Sequence, residues 1–520
     1  MSFPANASFR RSLFISLYWF DSVALKWNPS GKELVSFCRE QRTLNQDIED
    51  IGLHIEGVWL KTEVQLDSLR GLSRAGSLAP ALQVHYSDAA QRLQAKVATA
   101  VNGFTNVSLR SMPAATIPQK ANAVYLKRHL QQVVKDLEGW QRRFDPSWYL
   151  ITRIAEPAVD KELESHAARQ YPSAARLSEI RNAIQESMST RSEVPSSVFL
   201  DPDMIEANPE RIPRTDTYLS RHVTGRQILL SSTNFAGMRT STRKSHVRDF
   251  ARVLHHVDPM SFGLLRCDGV LERQTDQEAQ FQFIFDIPDY LTSPKTMRTL
   301  LIEVPQCSLS KRIQLAKQLA RSVMFVHTTG FVHKGIRPET VLVFSQNDET
   351  VGPSFLVGFE QIRRAEAQTS FLGDLQWERN LYRHPVRQGQ WSEEAFTMQH
   401  DIYSLGVCLL EIGLWRSFVH SKSRPVPWSE LDIEAAIREK DARRGGFAIK
   451  EKLTALARTR LPRLVGDRYT ELVLACLCCL DRGEENVFNK QGVEVTDEDG
   501  IIIGVRYIEN ILVKIEELLV

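Results

Sequence analysis

Two short stretches of this 520-residue chain hold residue types at a spacing that could do chemistry. Val332-His333-Lys334-Gly335-Ile336-Arg337-Pro338-Glu339-Thr340-Val341-Leu342 follows the pattern H-R-D-L-x-x-x-N. In that loop the Asp takes a proton from an attacking hydroxyl and the Asn holds a magnesium ion during phosphoryl transfer. His333, Lys334 and Ile336 fill the scaffold positions, but the base position is Gly335 and the metal-ligand position is Thr340. Glycine has no side chain to act as a base, and a threonine hydroxyl is a poorer magnesium ligand than an amide carbonyl. Downstream, Gly358-Phe359-Glu360 stands where a D-F-G triplet would supply the second metal ligand, and its aspartate position is again a glycine. These residues predict a loop that keeps its shape without its base and metal ligands.

The surrounding groups that such chemistry needs are absent as well. No G-x-G-x-x-G precedes the first strands, only isolated Gly225 and Gly237, and no V-A-I-K lysine follows. The helix expected at Ser245 to His256 carries Asp249 as its only acid. Glu360 is the one route to an active site, as a carboxylate displaced by two positions, and a misplacement of about 1 Å commonly costs a hundredfold in rate. Its plainer role is a salt bridge with Arg363 or Arg364. His333 is expected as a packed histidine holding the loop, with Phe359 packing nearby. Lys334 and Arg337 bind an anion, stay solvated or pair with Glu339. Cys476-Leu477-Cys478-Cys479 lies in an apolar run and reads as small hydrophobes rather than a metal site. His255-His256 closes a helix, and Asp497-Glu498-Asp499-Gly500 reads as a turn because its acids are consecutive, unlike a calcium loop. Thr369, Ser370 and Thr397 are candidate phosphorylation sites.

The elements that must position these residues belong to an α+β chain of more than one domain, because 520 residues exceed a single hydrophobic core. With 42% hydrophobic and 25% charged residues it has an ordinary globular composition. A formal net charge of +2 gives no reason to expect a nucleic-acid partner. The 7 cysteines are an odd, mostly scattered set, suited to a reducing cytoplasmic compartment. Residues 1–185 read as an all-α helical bundle, with an apolar stripe at Leu44, Ile48, Ile51, Ile55, Val58, Thr62, Leu66 and Leu69. Asn106 to Gln119 reads as a loop and Asp145-Pro146 as a turn. Residues 186–217, rich in Ser, Thr and Pro, read as a linker. From 218 to 520 strands at Gln227–Leu230, Phe262–Leu265 and Phe281–Phe285 precede a helix-rich part with helices at Ile313–Val326, His400–Trp415, Glu430–Arg443, Tyr469–Leu480 and Val505–Leu519. Near the start, Arg10 to Phe20 is Arg-flanked and aromatic, too short to span a bilayer and suited either to a first bundle helix or to a membrane surface.

The second half resembles a bilobal protein kinase domain, with a small lobe at about 218–286 and a large lobe at about 287–520. Beyond the loop, His400-Asp401-Ile402-Tyr403-Ser404-Leu405-Gly406-Val407 resembles the D-x-W-S-x-G helix start that anchors a kinase's catalytic loop, with Asp401 accepting backbone N–H groups and Gly406 allowing close approach. Tyr382-Arg383-His384-Pro385-Val386 occupies the A-P-E position and keeps only Pro385. The resemblance therefore implies a pseudokinase and no enzyme, with ATP binding in doubt, no metal, and no cofactor.

The whole arrangement resembles fungal proteins that couple a HeLo or HeLo-like (prion-inhibition and propagation) domain to a kinase-like domain. Arg143-Phe144-Asp145-Pro146-Ser147-Trp148-Tyr149, Phe331 to Glu339, Leu356 to Glu360, Trp377 to Pro385 and Gln399 to Trp415 carry the likeness. It implies a signalling switch or scaffold in regulated cell death or incompatibility, protein partners including self-association through the bundle, and a cytoplasmic protein that meets a membrane surface through Arg10 to Phe20 on activation. A bundle joined to a pseudokinase is also similar in architecture to the mixed-lineage-kinase-like necroptosis proteins.

Overall fold

A computed structural model describes residues 29–41, 46–76, 78, 80–110, 119–154, 157–163, 172–188, 198–206, 208–233, 240–274, 279–346, 349–360, 363–364, 376–389, 395–420, 424–483, 486–488 and 500–518. The chain is α+β and forms two compact units, Met1–Ser178 and Glu179–Val520. Arg10 to Phe20, Thr369, Ser370 and Asp497 to Asp499 lie outside the described residues.

The first unit contains α1 (29–40), α2 (Gln46–Arg74), α3 (Pro80–Arg110), α4 (Gln119–Trp148) and α5 (Pro157–Leu163). Ile48, Ile55, Thr62, Leu66 and Leu69 are buried on α2, the three-and-four spacing that puts them on one face. Polar contacts fix the helix directions. His54 Nε2 lies 2.9 Å from Glu138 and Lys61 Nζ 2.7 Å from Asp145, so partners advance by the same step on both helices and α2 runs parallel to α4. Trp140 donates to the Ala89 carbonyl at 3.0 Å, and Asp136 meets Lys96 at 3.4 Å, so α3 runs antiparallel to α4. Two expectations change here. The helix α3 runs on to Arg110 instead of ending before the loop foreseen from Asn106, and α4 continues through Asp145-Pro146 to Trp148. A proline removes one helical hydrogen bond, but Lys61 and Gln65 (3.0 Å) both grip Asp145 and hold that turn in place.

In the second unit, part of the span expected as linker is structured. The helix α6 (Pro172–Met188) covers its first residues, Phe199 bridges Val270, and β1 (Glu210–Arg211) pairs with β2 (Thr217–Arg221). Composition hid this because backbone pairing needs no apolar side chains. With β3 (Gln227–Ser232), β4 (Cys267–Gln274) and β5 (Ala279–Asp286) these strands form an antiparallel sheet in the order β1-β2-β3-β5-β4. Helix α7 (Thr240–His255) lies between β3 and β4 in sequence and packs on β4. The strand expected at Phe262–Leu265 is instead a helical turn, Pro259–Phe262, capped by Asp258 and closed by Gly263 at φ 62°.

The remainder is mostly helical. A second sheet joins β6 (Thr292–Thr296), β8 (Val341–Ser345) and β9 (Ser354–Leu356), while β7 (Phe331–Val332) pairs with β10 (Arg363–Arg364). Around them stand α8 (Met297–Glu303), α9 (Leu309–Thr328), α10 (Met398–Leu414), α11 (Ala442–Val465), α12 (Asp467–Leu477) and α13 (Ile501–Tyr507), the last running into a π-helical turn at Ile508–Leu512. The helix expected at Glu430–Arg443 is two short turns, and the 24-residue α11 follows it. Gly445, Gly446 and Pro462 within α11 weakened its signal in the sequence. Among the described residues, no helix is long and apolar enough to cross a membrane.

Gly406 sits where α10 meets α12, and an added Cβ would stand 2.7 Å from Cys476 Cβ and 3.1 Å from the Leu477 nitrogen. Gly57, exposed in the middle of α2, has nothing within 4 Å of such a Cβ. Gly406→Ala is expected to destabilise the second unit by about 1–3 kcal/mol, and Gly57→Ala to stabilise the first by about 0.5–1 kcal/mol, both read from urea unfolding transitions.

Candidate functional site

The loop between β7 and β8 is held from below by Asp401, a fully buried carboxylate in the first turn of α10. It accepts the backbone N–H of His333 at 2.8 Å and of Lys334 at 2.9 Å, and lies 3.1 Å from His327 Nε2 on α9. Burial alone would raise the pKa of Asp401, but the His327 hydrogen bond and the His333 contacts outweigh it and hold the group below the usual carboxylate range. With both oxygens engaged, Lys334 is fixed at φ 65°, a left-handed conformation that costs a non-glycine residue energy and persists only where its surroundings impose it. Lys334 Nζ lies over the Phe396 ring at 5.7 Å. Thr397 is the N-cap of α10, and its backbone N–H donates to His400 Nδ1 at 3.0 Å.

His333 joins the loop to the strand after it. Its Nε2 lies 2.9 Å from the Val357 carbonyl, which can only accept, and its Nδ1 accepts the Gly335 N–H at 3.2 Å. The two partners fix a neutral imidazole with the proton on Nε2, and burial pushes its pKa down accordingly. Phe359 packs its ring 5.0 Å from His333, 4.8 Å from Phe250 of α7 and, farther off, 6.0 Å from Phe285 of β5. An aromatic stack therefore runs from the loop into the five-stranded sheet and its helix.

Gly358 and Thr340 are packed against each other. Gly358 has φ 74°, and a Cβ there would stand 2.5 Å from the Thr340 methyl and 3.0 Å from Thr340 Cβ. The Thr340 hydroxyl faces the loop, bonded to the Gly335 carbonyl at 3.0 Å and accepting the Arg337 N–H at 3.1 Å. Its methyl thus fills space that a side chain at 358 would need, and its oxygen is engaged by the backbone.

Glu360 pairs with Arg337 at 2.7 Å, with both side chains largely buried, and the side chains of Arg363 and Arg364 lie outside the described residues. Burial opposes the charge on Arg337, but Glu360, Glu339 and the Asp216 carboxylate outweigh it and keep the guanidinium pKa above its usual value. Arg337 Nη1 also lies 3.3 Å from the Gly335 carbonyl. The Glu360 carboxylate is thereby neutralised by an arginine of the loop between β7 and β8.

A second buried network lies beside the loop, and the sequence reading did not single it out. Arg298 of α8, 1% exposed, donates to Glu339 at 2.9 Å, to Glu411 of α10 at 2.5 Å and to Ser417 at 2.8 Å, and also bonds the Tyr382 hydroxyl. Tyr382 in turn donates to the other Glu411 oxygen at 2.8 Å. Glu339, facing both Arg298 and Arg337, is held below its usual pKa despite burial, whereas the deeper burial of Glu411 pushes its pKa up. The available signal was a single charge inside an apolar helical run, in Met297-Arg298-Thr299-Leu300-Leu301 and in Leu409-Leu410-Glu411-Ile412.

The remaining candidates take structural places. Pro385 begins a buried 3-10 turn, Pro385–Arg387, on which His384 Nδ1 accepts the Val386 N–H at 3.4 Å. Lys450 of α11 reaches His384 Nε2 at 3.3 Å and pairs with Asp481. On β3 there is no lysine, and Asp249 on α7 pairs with neighbouring Arg248 at 2.9 Å. The turn between β1 and β2 contains no glycine, and Arg211 holds it by donating to the Thr215 carbonyl at 2.9 Å and pairing with Asp216 at 2.6 Å. Cys476, Cys478 and Cys479 are buried, and burial raises the thiol pKa of Cys476 and Cys479. No cluster of three or more His, Cys, Asp or Glu that could hold a metal ion exists among the described residues.

Comparison with known proteins supports a kinase-like region in this chain. No family model matches it. A serine/threonine-protein kinase-like protein of Arabidopsis thaliana is 34% identical over 127 residues, covering 23% of this chain and 33% of the relative. The chain thus spans about a third of the length of the curated relative it matches.

Burial, with Lys450, His400 and Arg443 alongside, pushes the His384 pKa down to about 2. In the unfolded chain a histidine protonates near 6.5, so this group favours folding fully above that pH and its contribution is lost as pH falls from about 6.5 toward 2. Unfolding free energy in urea is expected to drop by roughly 1.4 kcal/mol per pH unit for such a group. His384→Gln should show a shallower loss between pH 6.5 and 5.5 than the unsubstituted protein.

Proposed function

We propose that the kinase-like region is a bilobal pseudokinase that has lost phosphoryl transfer and serves as a signalling switch or scaffold, with the helical first unit as its effector or oligomerisation module. The observation that carries this reading is the packing of the Thr340 methyl into the space a side chain at Gly358 would need. Positioning and electrostatics supply nearly all of the catalysis in phosphoryl transfer, and both metal-ligand positions here are committed to packing and backbone bonds. Gly335 offers no base, and β3 offers no lysine to a nucleotide.

Strands with one helix, followed by a helix-rich remainder that holds a motif-bearing loop, is the order that supports a small-lobe and large-lobe arrangement. The membership of the first unit among HeLo-like domains, and with it a role in cell death or incompatibility, belongs to this proposal and rests on the sequence likeness around Phe144 to Tyr149. Protein partners, self-association through the bundle and contact with a membrane surface are parts of the same reading.

Incubation of the full chain with labelled ATP and magnesium tests it. The expected result is no phosphate transfer, and none from Gly335→Asp either, because that substitution restores a base without a metal site. Transfer by the unsubstituted protein that Glu360→Ala abolishes would instead establish an active kinase with a displaced metal ligand.

A further inference from the structure

The five-stranded sheet is buried on both sides. Away from the loop, Ile228, Leu230, Leu271 and Ile284 form one cluster, against which Leu200, Ile205 and Tyr218 pack. Toward the loop, the strand ladders show which residues share a face, because side chains directly opposite on neighbouring strands point the same way. Thr217 stands opposite Ser231, Ser231 opposite Phe283, and Leu229 opposite Phe285. The Ile212 N–H donates to the Thr217 carbonyl at 3.0 Å, one step beyond the Arg211–Tyr218 pair, so Ile212 joins that face from the β1–β2 turn. This face meets the loop, since the Phe283 and Phe285 rings lie 6.2 Å and 6.0 Å from that of Phe359.

Thr217, Leu229, Ser231, Phe283 and Phe285 are each at most 1% exposed, and Ile212 is 4% exposed. Helix α7 packs on β4 and β5 and covers Phe283 through Phe250, ring to ring at 5.9 Å. Thr217 and Leu229 belong to β2 and β3, on the far side of β5 from β4 in the sheet. There the β1–β2 turn comes close to the loop, and Asp216, directly before Thr217, is among the carboxylates that keep the Arg337 guanidinium charged. A small-molecule site needs a concave space of roughly 300–1,000 Å³ that side chains leave open. Emptying such a space here would return Ile212, Leu229 and Phe285 to water, which the hydrophobic effect opposes.

We infer that the space between the sheet and the β7–β8 loop is a closed core, in which Ile212, Leu229, Phe285 and Phe359 take the place of a bound nucleotide and make sheet and loop open as one unit. The inference rests on the kinase-like reading for what that space would otherwise hold. It makes the region a scaffold whose shape does not follow nucleotide concentration. Nucleotide binding without phosphate transfer overturns the closed core and leaves the loss of catalysis standing, whereas phosphate transfer overturns both.

Two measurements on the full chain decide it. Titration with ATP or ADP, with and without magnesium, up to about 1 mM, the upper end of ordinary substrate affinities, is expected to leave the melting temperature unchanged. A saturable rise would overturn the inference. By hydrogen exchange, Ile212→Ala is expected to make the β3 and β5 amides exchange at least about tenfold faster, and the His333 and Lys334 amides with them by a similar factor. Ile212→Val, a smaller truncation, is expected to give the same pattern with a smaller factor and decides the matter if Ile212→Ala does not fold. Acceleration confined to β1 and β2, with the His333 and Lys334 amides unmoved, would show that the turn is only a local support and overturn the shared opening.

Discussion

The burial of one carboxylate sets the shape of the loop on which everything else in the second unit turns. Removing the charge of Asp401 from water costs several kcal/mol, and the cost is met only because two loop amides and a histidine converge on it. Those amides belong to His333 and Lys334, so satisfying Asp401 also fixes the left-handed turn at Lys334 and aims His333 at Val357. From Val357 the chain passes through Gly358 to Phe359, and from Phe359 by ring contact to α7 and β5. None of these steps uses a catalytic group. A loop held in this way keeps its conformation whether or not it does chemistry.

The groups around that loop fit one another. Glycine at 358 and threonine at 340 are complementary in shape, since the methyl of one takes the volume that the other leaves. Glu360 and Arg337 are complementary in charge, and Arg298 takes up Glu339 and Glu411 in the same way. Buried carboxylates are tolerated only when paired and hydrogen-bonded, and Glu339, Glu360 and Glu411 each face an arginine. A single substitution at any of these places removes one partner and leaves the other buried.

The first unit is organised on a different principle. Its helices share an apolar face, and its polar contacts set direction rather than hold charge in the interior. The matched steps of His54 with Glu138 and Lys61 with Asp145 make α2 and α4 parallel, a relation that apolar periodicity cannot specify because a stripe of leucines and isoleucines is indifferent to the sense of its partner.

Periodicity made α2, α9 and α10 legible in the sequence, because residues three and four apart report local geometry. The spacing of His333, Gly335, Thr340, Gly358 and Asp401 made the loop and its missing groups legible, because those positions are defined by backbone that the sequence runs through directly. The strand β4 and the helix α11 were not legible, since mixed charges in one and glycines and a proline in the other mask the local signal while distant packing stabilises the element. The pairing of Glu360 with Arg337, 23 residues away, was not legible either, because only the fold brings the two together. Sequence by itself determined which chemical groups this loop lacks. Only the tertiary structure decided what occupies their places, because a buried charge or an empty volume is filled by whichever residue folding brings within about 3 Å, at any distance along the chain.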